Sequence, residues 1–331
     1  MLKFTLAMTG ARRHYAVPRI LNQSGMLGDY HTDFHIQNSA LRWLGEKSQD
    51  RLPSIVKRGV SRLPTGVDTR LIHAHNLFGL QYALKRRMCR TRNEEVAAIL
   101  WAGKRFARLA SFDLSDHCNA TYTFNLAGLE LIHAAQKMGR LTVMEQTIAP
   151  MAVEQRLMDI ERSKFPDWER PGSITPTMRE FIDREISELG AADRVICGSE
   201  FVKEAIQEVA SRTDDAVVVP SGVELSGFAV ERLHHRGRKL RVLTVGVVGL
   251  RKGSPYVFRA AQALAGSAEF RIVGEVSVDE MVLRKEGAFV SLTGPLPRSA
   301  IHEQLRWADV FLLPSLCEGS AISVFEALAA G

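Results

Sequence analysis

The sequence predicts an α/β protein in which helices cover parallel β-sheets. Short apolar runs typical of buried parallel strands alternate with segments of helical periodicity. A chain of 331 residues is long enough for about two domains. The alternation is interrupted by a polar, basic segment without apolar periodicity, and it restarts after that segment. We therefore predict two doubly wound domains, residues 1–230 and 240–331, joined by a linker over residues 231–239.

The first predicted domain opens on a strand over residues 3–8, because an apolar run there leads into a loop that contains Gly10. Later strands are predicted from short apolar runs, and helices from apolar residues at helical spacing. The remaining predicted strands are 70–74, 141–144, 194–197 and 216–219. The predicted helices are 94–110, 126–138, 154–162, 177–189 and 200–209.

The second predicted domain repeats the same alternation over a shorter length. Its predicted strands are 240–247, 270–273, 289–292 and 310–313, and its predicted helices are 255–264, 278–285, 298–307 and 321–330. A helix that ends in glycine, as this one does at Gly331, is normally followed by more chain. We therefore expect the second domain to be incomplete and the chain to be truncated at its C-terminus.

Composition narrows the range of functions. Lys+Arg 43 against Asp+Glu 37 gives a formal net charge of +6. This charge fits an anionic substrate or an anionic membrane face and is too weak to indicate nucleic-acid binding, although an ordinary surface charge explains it equally well. The four cysteines show no C-x2-C spacing, and no run approaches the ~18 apolar residues of a membrane span. We expect a cytoplasmic protein, compatible with peripheral contact at the inner membrane face.

Two carboxylates eight residues apart, Glu318 and Glu326, mark the candidate site. Glu318 follows an apolar strand and precedes Gly319 and Ser320, which are typical of a turn, and Ser320 suits the N-cap of the next helix. Glu318 would lie at the carboxyl end of a strand, where open α/β sheets bind ligands. Between the two carboxylates, the free N–H groups of the helix N-terminus suit a phosphate. A pair of solvated carboxylates is the alternative interpretation.

A glycine-rich basic loop over residues 245–253 joins the first strand of the second domain to its first helix. Its glycines allow the backbone to approach a ligand closely, and Arg251 and Lys252 are suited to neutralise a diphosphate. A solvated basic loop is the alternative. Because this loop and the glutamate pair belong to the same predicted domain, we favour phosphate binding.

The segment around the two glutamates resembles the E-x7-E signature of retaining family-4 glycosyltransferases, nucleotide-sugar enzymes of the GT-B fold. The basic loop is similar to the one with which these enzymes hold the donor diphosphate, and Lys252 matches the family's lysine. Val247 stands where the family has an arginine, and Arg251 is a candidate to replace it. Similarity continues over segments 192–202, 219–224, 292–294, 308–310 and 314–315. The resemblance implies two Rossmann-like domains facing a cleft, with the acceptor side formed by residues 1–230.

The resemblance also assigns an expectation to the loop after the first strand. The family places a glycine-containing loop there, near the donor phosphates and the acceptor. Gly10 matches that glycine, and Arg12 or Arg13 would add positive charge. A plain surface loop is equally consistent with this sequence.

The family often carries a histidine after a first-domain strand, near the reacting sugar. Here the strand 141–144 leads into Glu145, so that the role is either absent or filled by Glu145, His75 or His117. A buried, hydrogen-bonded polar residue is the alternative for each of them. His73 and His75 would face one side of a strand, but no further ligands follow at a suitable spacing, and we predict no metal site.

By resemblance, the function is transfer of a sugar from a nucleotide-diphosphate donor to a glycan or lipid-linked acceptor with retention, in cell-surface polysaccharide biosynthesis. Glu318 would be the catalytic residue on the donor sugar, and Glu326 would bind the ribose. Lys252, Arg251 and the backbone at Gly319 and Ser320 would hold the diphosphate. No cofactor or metal is expected. A non-catalytic nucleotide-sugar-binding or partner subunit, or an inactive fragment, is the alternative.

Overall fold

The computed structural model describes residues 1–36, 64, 66–169, 174–210, 216–223, 225 and 238–331. The described residues form an α/β protein with parallel sheets, which confirms the predicted fold class. The chain divides into two compact units, Met1–Met151 with Ile174–Val219, and Ala152–Ser173 with Pro220–Gly331. Most of the predicted linker, residues 231–237, lies outside the described residues, and the predicted domain boundaries stay predictions.

The first unit contains a sheet of seven described strands in the order β3-β2-β1-β4-β5-β6-β7. All pairings between these strands are parallel. The chain order reverses between β1 and β4, so that this sheet has its topological switch point there. The strands are β1 Phe4–Met8, β2 Leu27–Thr32, β3 Ile72–Ala74, β4 Ala120–Phe124, β5 Leu141–Gln146, β6 Arg194–Cys197 and β7 Ala216–Val218.

Helices cover both faces of this sheet, and several begin at sequence signals. Thr91 and Glu94 form a capping box at the start of one helix, and Thr175 caps another that has proline in its first turn. The helices with residues in this unit are α1 Ala16–Gln23, α2 Asn76–Met88, α3 Arg92–Phe112, α4 Leu129–Lys137, α5 Met151–Lys164, α6 Pro176–Ala191 and α7 Glu200–Ala210. In the described ranges, no helix has the length and apolar character needed to cross a bilayer.

The second unit contains a parallel sheet of four described strands in the order β10-β9-β8-β11. Its chain order reverses between β8 and β11, which are therefore neighbours at the switch point. The strands are β8 Leu240–Val245, β9 Ala268–Val273, β10 Val290–Leu292 and β11 Val310–Phe311. The helices are α8 Ser254–Ala263, α9 Glu280–Glu286, α10 Arg298–Trp307 and α11 Ile322–Ala329. Each element predicted for this part of the sequence is present.

The end of α5 and the residues after it pack in the core of the second unit. Phe165 and Trp168 are buried in one cluster with Val257 and Phe258 of α8. The ring centroids of Trp168 and Phe258 are 5.2 Å apart, in an edge contact. This packing explains why Ala152–Ser173 groups with the second unit although it lies early in the sequence.

The prediction missed two central strands of the first unit, β2 and β4, and the helices α1 and α2. Strand β2 contains Gly28, Asp29 and His31, residue types that are uncommon in strands, yet all its residues are buried. Asp29 and His31 each have a partner within the fold: Asp29 Oδ1 lies 2.9 Å from His73 Nε2, and His31 Nδ1 lies 3.2 Å from His75 Nε2. Tertiary contacts therefore override the low strand propensity of this segment.

Two helical glycines allow a matched test of close packing. A Cβ at Gly103 in α3 would stand 1.9 Å from the carbonyl oxygen of Leu126, whereas a Cβ at Gly190 in α6 would meet nothing within 4 Å. We expect Gly103→Ala to lower the free energy of unfolding by roughly 1–3 kcal/mol. We expect Gly190→Ala to raise it by about 0.5–1 kcal/mol, since alanine is the better helix former. Urea unfolding monitored by circular dichroism measures both, and equal effects would contradict this account.

Candidate active site

The basic loop of the second unit follows β8 at the switch point. Lys252 and Gly253 lie between the end of that strand and the start of α8. Gly253 has φ +68°, and a Cβ there would stand 1.9 Å from the carbonyl oxygen of Pro314. Glycine is therefore required for both the left-handed backbone and the close contact.

The loop after β11 is locked against this basic loop by backbone contacts. The Leu316 N–H donates to the carbonyl oxygen of Arg251 at 2.9 Å. The Arg251 guanidinium in turn donates from Nη1 to the carbonyl oxygen of Cys317 at 3.0 Å. The predicted diphosphate loop and the predicted glutamate loop are thus neighbours at the carboxyl end of one sheet.

Lys252 and Glu318 form an ion pair through Nζ and Oε1. The Arg251 Nη1 atom lies 3.7 Å from the same carboxylate oxygen. All three side chains are partly buried, with exposed fractions of 15% for Lys252, 25% for Glu318 and 33% for Arg251. Two cations therefore share one carboxylate, and the local charge stays positive.

Ser320 has a different role from the N-cap that we predicted. Ala321 is the N-cap of α11, and among the described side chains none caps this helix. The Ser320 hydroxyl instead accepts a hydrogen bond from the Ser221 N–H at 2.8 Å. The hydroxyl therefore bonds to a residue distant in sequence, and the first N–H groups of α11 have no side-chain cap.

Glu326 lies on α11 and is buried, with 8% of its surface exposed. Its Oε1 atom is 3.1 Å from Nη2 of Arg298, the first residue of α10. The carboxylate is thus paired with an arginine in the second unit. The expected roles of Glu318 at the donor sugar and Glu326 at the ribose stay predictions.

In the first unit, the loop after β1 also lies at a switch point. The Gly10 N–H donates to Oδ1 of Asp33 at 2.8 Å, and Gly10 has φ +70°. Further along the same loop, the consecutive residues Arg13, His14 and Tyr15 have positive φ values of 47°, 50° and 61°. Such a run of non-glycine residues is strained, and strain of this kind concentrates at functional sites.

The strained turn directs Arg12 to the loop after β4. Its Nη1 atom donates to Oδ1 of Asn125 at 2.8 Å, and its Nη2 atom donates to the Asn125 carbonyl oxygen at 3.3 Å. Burial lowers the pKa of Arg12, and the carboxylates of Glu145 and Glu188 oppose that change. The guanidinium stays charged because arginine starts from a very high pKa.

Arg13 pairs with Glu145 at the end of β5. The Arg13 Nε atom lies 2.5 Å from Glu145 Oε1, and the Tyr122 hydroxyl donates to Glu145 Oε2 at 2.6 Å. Burial and the neighbouring carboxylate raise the pKa of Tyr122 well above its usual value, so that the phenol stays a donor. Glu145 is buried, and both of its oxygens are engaged.

The loop after β4 is held by a buried carboxylate from α6. Glu188 accepts hydrogen bonds from the N–H groups of Leu126 and Gly128 in the loop before α4 and of Leu129, the first residue of that helix. Burial raises the pKa of Glu188 to about 7, while Arg184 and these N–H groups act in the opposite direction. This carboxylate fixes the loop that carries Asn125.

The remaining candidate histidines lie in different places. His75 Nε2 is 3.2 Å from His31 Nδ1, and its ring packs edge-on against Phe106. His117 lies before β4, at the amino edge of the sheet, with Nε2 3.5 Å from Asp29 Oδ2. The predicted roles of Glu145, His75 and His117 near a sugar stay predictions.

Sequence reasoning missed Asp33, Asn125 and Arg298, which contact Gly10, Arg12 and Glu326 respectively. Asp33 and Asn125 each follow a strand, β2 and β4, that was not predicted. Their position directly after strands, at the carboxyl edge of the sheet, is the signal that was available once those strands were recognised.

Comparison with known proteins places this geometry in a fold class. Residues 239–331 match the family model of Glycosyl transferases group 1. Trehalose 6-phosphate synthase from Burkholderia multivorans, at 13% identity, superposes with a TM-score of 0.57 over 100% of this chain and 82% of that chain. The fold is GT-B. Sucrose-phosphate synthase from Thermosynechococcus elongatus, at 16% identity, superposes with a TM-score of 0.54 over 100% of this chain and 80% of that chain.

A third GT-B structure, Anabaena HepE in complex with UDP-glucose, is 11% identical and gives a TM-score of 0.53 over 100% of this chain and 79% of that chain. Among curated proteins, no sequence matches this one. At these identities the structural likenesses establish the GT-B fold, and residues 239–331 are similar to the Glycosyl transferases group 1 family.

The shared carboxylate yields a test of anion binding. We expect Glu318→Gln to bind pyrophosphate more tightly, because Lys252 and Arg251 lose their competing anion. A gain of about 1 kcal/mol, or roughly a fivefold lower Kd, is expected at low ionic strength. Isothermal titration calorimetry measures it, with Glu280→Gln as control, since Glu280 is an exposed glutamate paired with Arg284. Unchanged or weaker binding in Glu318→Gln would contradict this interpretation.

Proposed function

We propose that this chain transfers a sugar from a nucleotide-diphosphate donor to a glycan or lipid-linked acceptor, as a retaining family-4 glycosyltransferase. The observation that carries the proposal is the contact of Lys252 with Glu318 at the switch point of the domain that matches the group 1 family. The similar fold of HepE in complex with UDP-glucose makes UDP-glucose the first donor to test.

Charge separation during the reaction explains why these residue types are suited to it. When the sugar leaves the nucleoside diphosphate, negative charge develops on the diphosphate and positive charge at the anomeric carbon. Lys252, Arg251, and the N–H groups from Gly319 into the uncapped start of α11 would stabilise the diphosphate. Glu318 would then give up its contacts with these two cations and contact the donor sugar.

Glu326 would bind the nucleoside ribose. Its carboxylate lies on α11 and is held by Arg298, which would keep the oxygens oriented toward hydroxyl donors. With Lys252 and Arg251 supplying the positive charge, the proposed transfer needs no divalent metal. Addition of Mg²⁺ or Mn²⁺ would leave its rate unchanged.

The first unit would supply the acceptor side. Gly10, in the loop after β1, would contribute to donor binding, and Arg12 and Arg13 bring positive charge to the carboxyl edge of the sheet. An anionic or lipid-phosphate acceptor suits that charge and the net charge of +6. These features support a role in cell-surface polysaccharide biosynthesis at the inner membrane face.

A non-catalytic nucleotide-sugar-binding subunit is the second candidate. The observation that favours it concerns the contacts of Glu145, which occupies the position where the resembled family has a histidine. Glu145 is buried and bonded to both Arg13 and Tyr122. Under this alternative the chain binds a nucleotide sugar without turning it over.

Mutation of the ion pair tests the catalytic proposal. We expect Glu318→Ala and Lys252→Ala each to reduce UDP-glucose hydrolysis or transfer by about 10²–10³-fold, since each removes a charge used in the transition state. Release of UDP from a panel of nucleotide sugars measures turnover, and NMR of the product gives its anomeric configuration. Retention requires that an α-linked donor yields an α-linked product.

Two matched controls separate this effect from general loss of charge. Glu280→Ala and Lys285→Ala remove exposed partners of Arg284 and Asp167 and should keep full turnover. Wild-type turnover in both Glu318→Ala and Lys252→Ala would contradict the proposal. Calorimetric binding of UDP-glucose by the wild type without any turnover would favour the non-catalytic alternative.

A further inference from the structure

Three side chains that suit a transition metal converge at the amino edge of the first unit's sheet. They are Asp29 of β2, and His117 and Cys118 just before β4, and their ligand atoms lie within 4.8 Å of one another. We propose that they bind one zinc-type divalent cation. The site is distinct from the candidate active site, which involves loops at the carboxyl ends of strands.

Two of the three distances among these ligand atoms fit tetrahedral coordination. Cys118 Sγ lies 3.3 Å from Asp29 Oδ2, and His117 Nε2 lies 3.5 Å from the same oxygen. Bond lengths typical of zinc would place sulfur and oxygen ligands about 3.6 Å apart and nitrogen and oxygen ligands about 3.4 Å apart. These two separations agree with the zinc values to a few tenths of an ångström. The third, between His117 Nε2 and Cys118 Sγ, is at most 4.8 Å and would adjust when the cation binds.

The second carboxylate oxygen of Asp29 is already oriented by a hydrogen-bond chain. His73 Nε2 lies 2.9 Å from Asp29 Oδ1, and His73 Nδ1 lies 3.2 Å from Asp113 Oδ2. A metal-binding carboxylate is commonly held in this way by groups that do not touch the ion. Asp29 would therefore present Oδ2 to the cation while its Oδ1 keeps the contact with His73.

Gly28 has no side chain, and this leaves space for the side chains of Cys118 and His117. A Cβ at this position would stand 2.3 Å from Cys118 Sγ and 3.4 Å from His117 Nε2. Any larger residue would displace the thiol. The glycine that weakens the strand signal of β2 is thus the residue that allows the thiol and the imidazole to approach Asp29.

Burial and ligand type define the cation class. Asp29 and Cys118 are buried, whereas the His117 side chain is 59% exposed, which leaves a path to solvent. Three protein ligands leave a fourth position for water. A thiol with an imidazole favours zinc over magnesium or calcium. Binding would convert the Cys118 thiol to a thiolate and release its proton to solvent.

Cobalt(II) is the probe for this site, because it takes zinc ligands and shows a thiolate charge-transfer band. We expect chelator-treated protein to bind one Co²⁺ per chain with that band. Cys118→Ser should abolish the band, and His117→Ala should weaken Co²⁺ binding at least tenfold. Cys89→Ser and His133→Ala are matched controls on the first unit and should behave as wild type.

A second measurement tests the orienting chain and is independent of the spectrum. Asp113→Asn should weaken Zn²⁺ binding roughly 10–100-fold, in line with the effect of outer-shell partners. Zn²⁺ should raise the melting temperature of the wild type and of His133→Ala but not of His117→Ala, whose exposed position makes misfolding a poor explanation. Absence of the thiolate band in folded wild type, or the same band in Cys118→Ser, would overturn the proposal.

Discussion

The close approach of Gly253 to the Pro314 carbonyl determines how near the loop of Lys252 lies to the loop of Glu318. The Leu316 N–H bond to Arg251 fixes the same two loops a few residues further on. Both contacts are made by backbone, so the position of Lys252 beside Glu318 does not depend on the ion pair itself. Preorganised charges of this kind can act on a ligand without a reorganisation cost at the moment of reaction.

The ion pair then has a clear role in the free protein. A lysine that is 15% exposed would be costly to leave without a counter-ion, and Glu318 supplies one. A diphosphate that binds here must compete with that carboxylate, but it offers more negative charge to Lys252 and Arg251 together. Under the proposed function, Glu318 would then leave these cations and contact the donor sugar.

The sequence was sufficient for features that are local in the chain. Glu318, Lys252 and Glu326 each follow from a strand–loop–helix pattern, and the switch-point rule places two of the loops together. The sequence was insufficient for contacts between residues that are far apart along the chain. Cys118 meets Asp29 across 89 positions, and Ser320 exchanged its predicted capping role for a bond to Ser221. No propensity or spacing within one segment encodes such contacts.

The two units reach their switch-point geometry by different physical means. In the second, glycine removes the steric penalty of the left-handed conformation at position 253. In the first, Arg13, His14 and Tyr15 adopt that region with full side chains, at a cost of order 1–3 kcal/mol each. Glycine at position 13 would relieve strain but remove the group that pairs with Glu145. The strain is therefore tied to the placement of charge at this edge, which is where the acceptor side of the proposed reaction would be built.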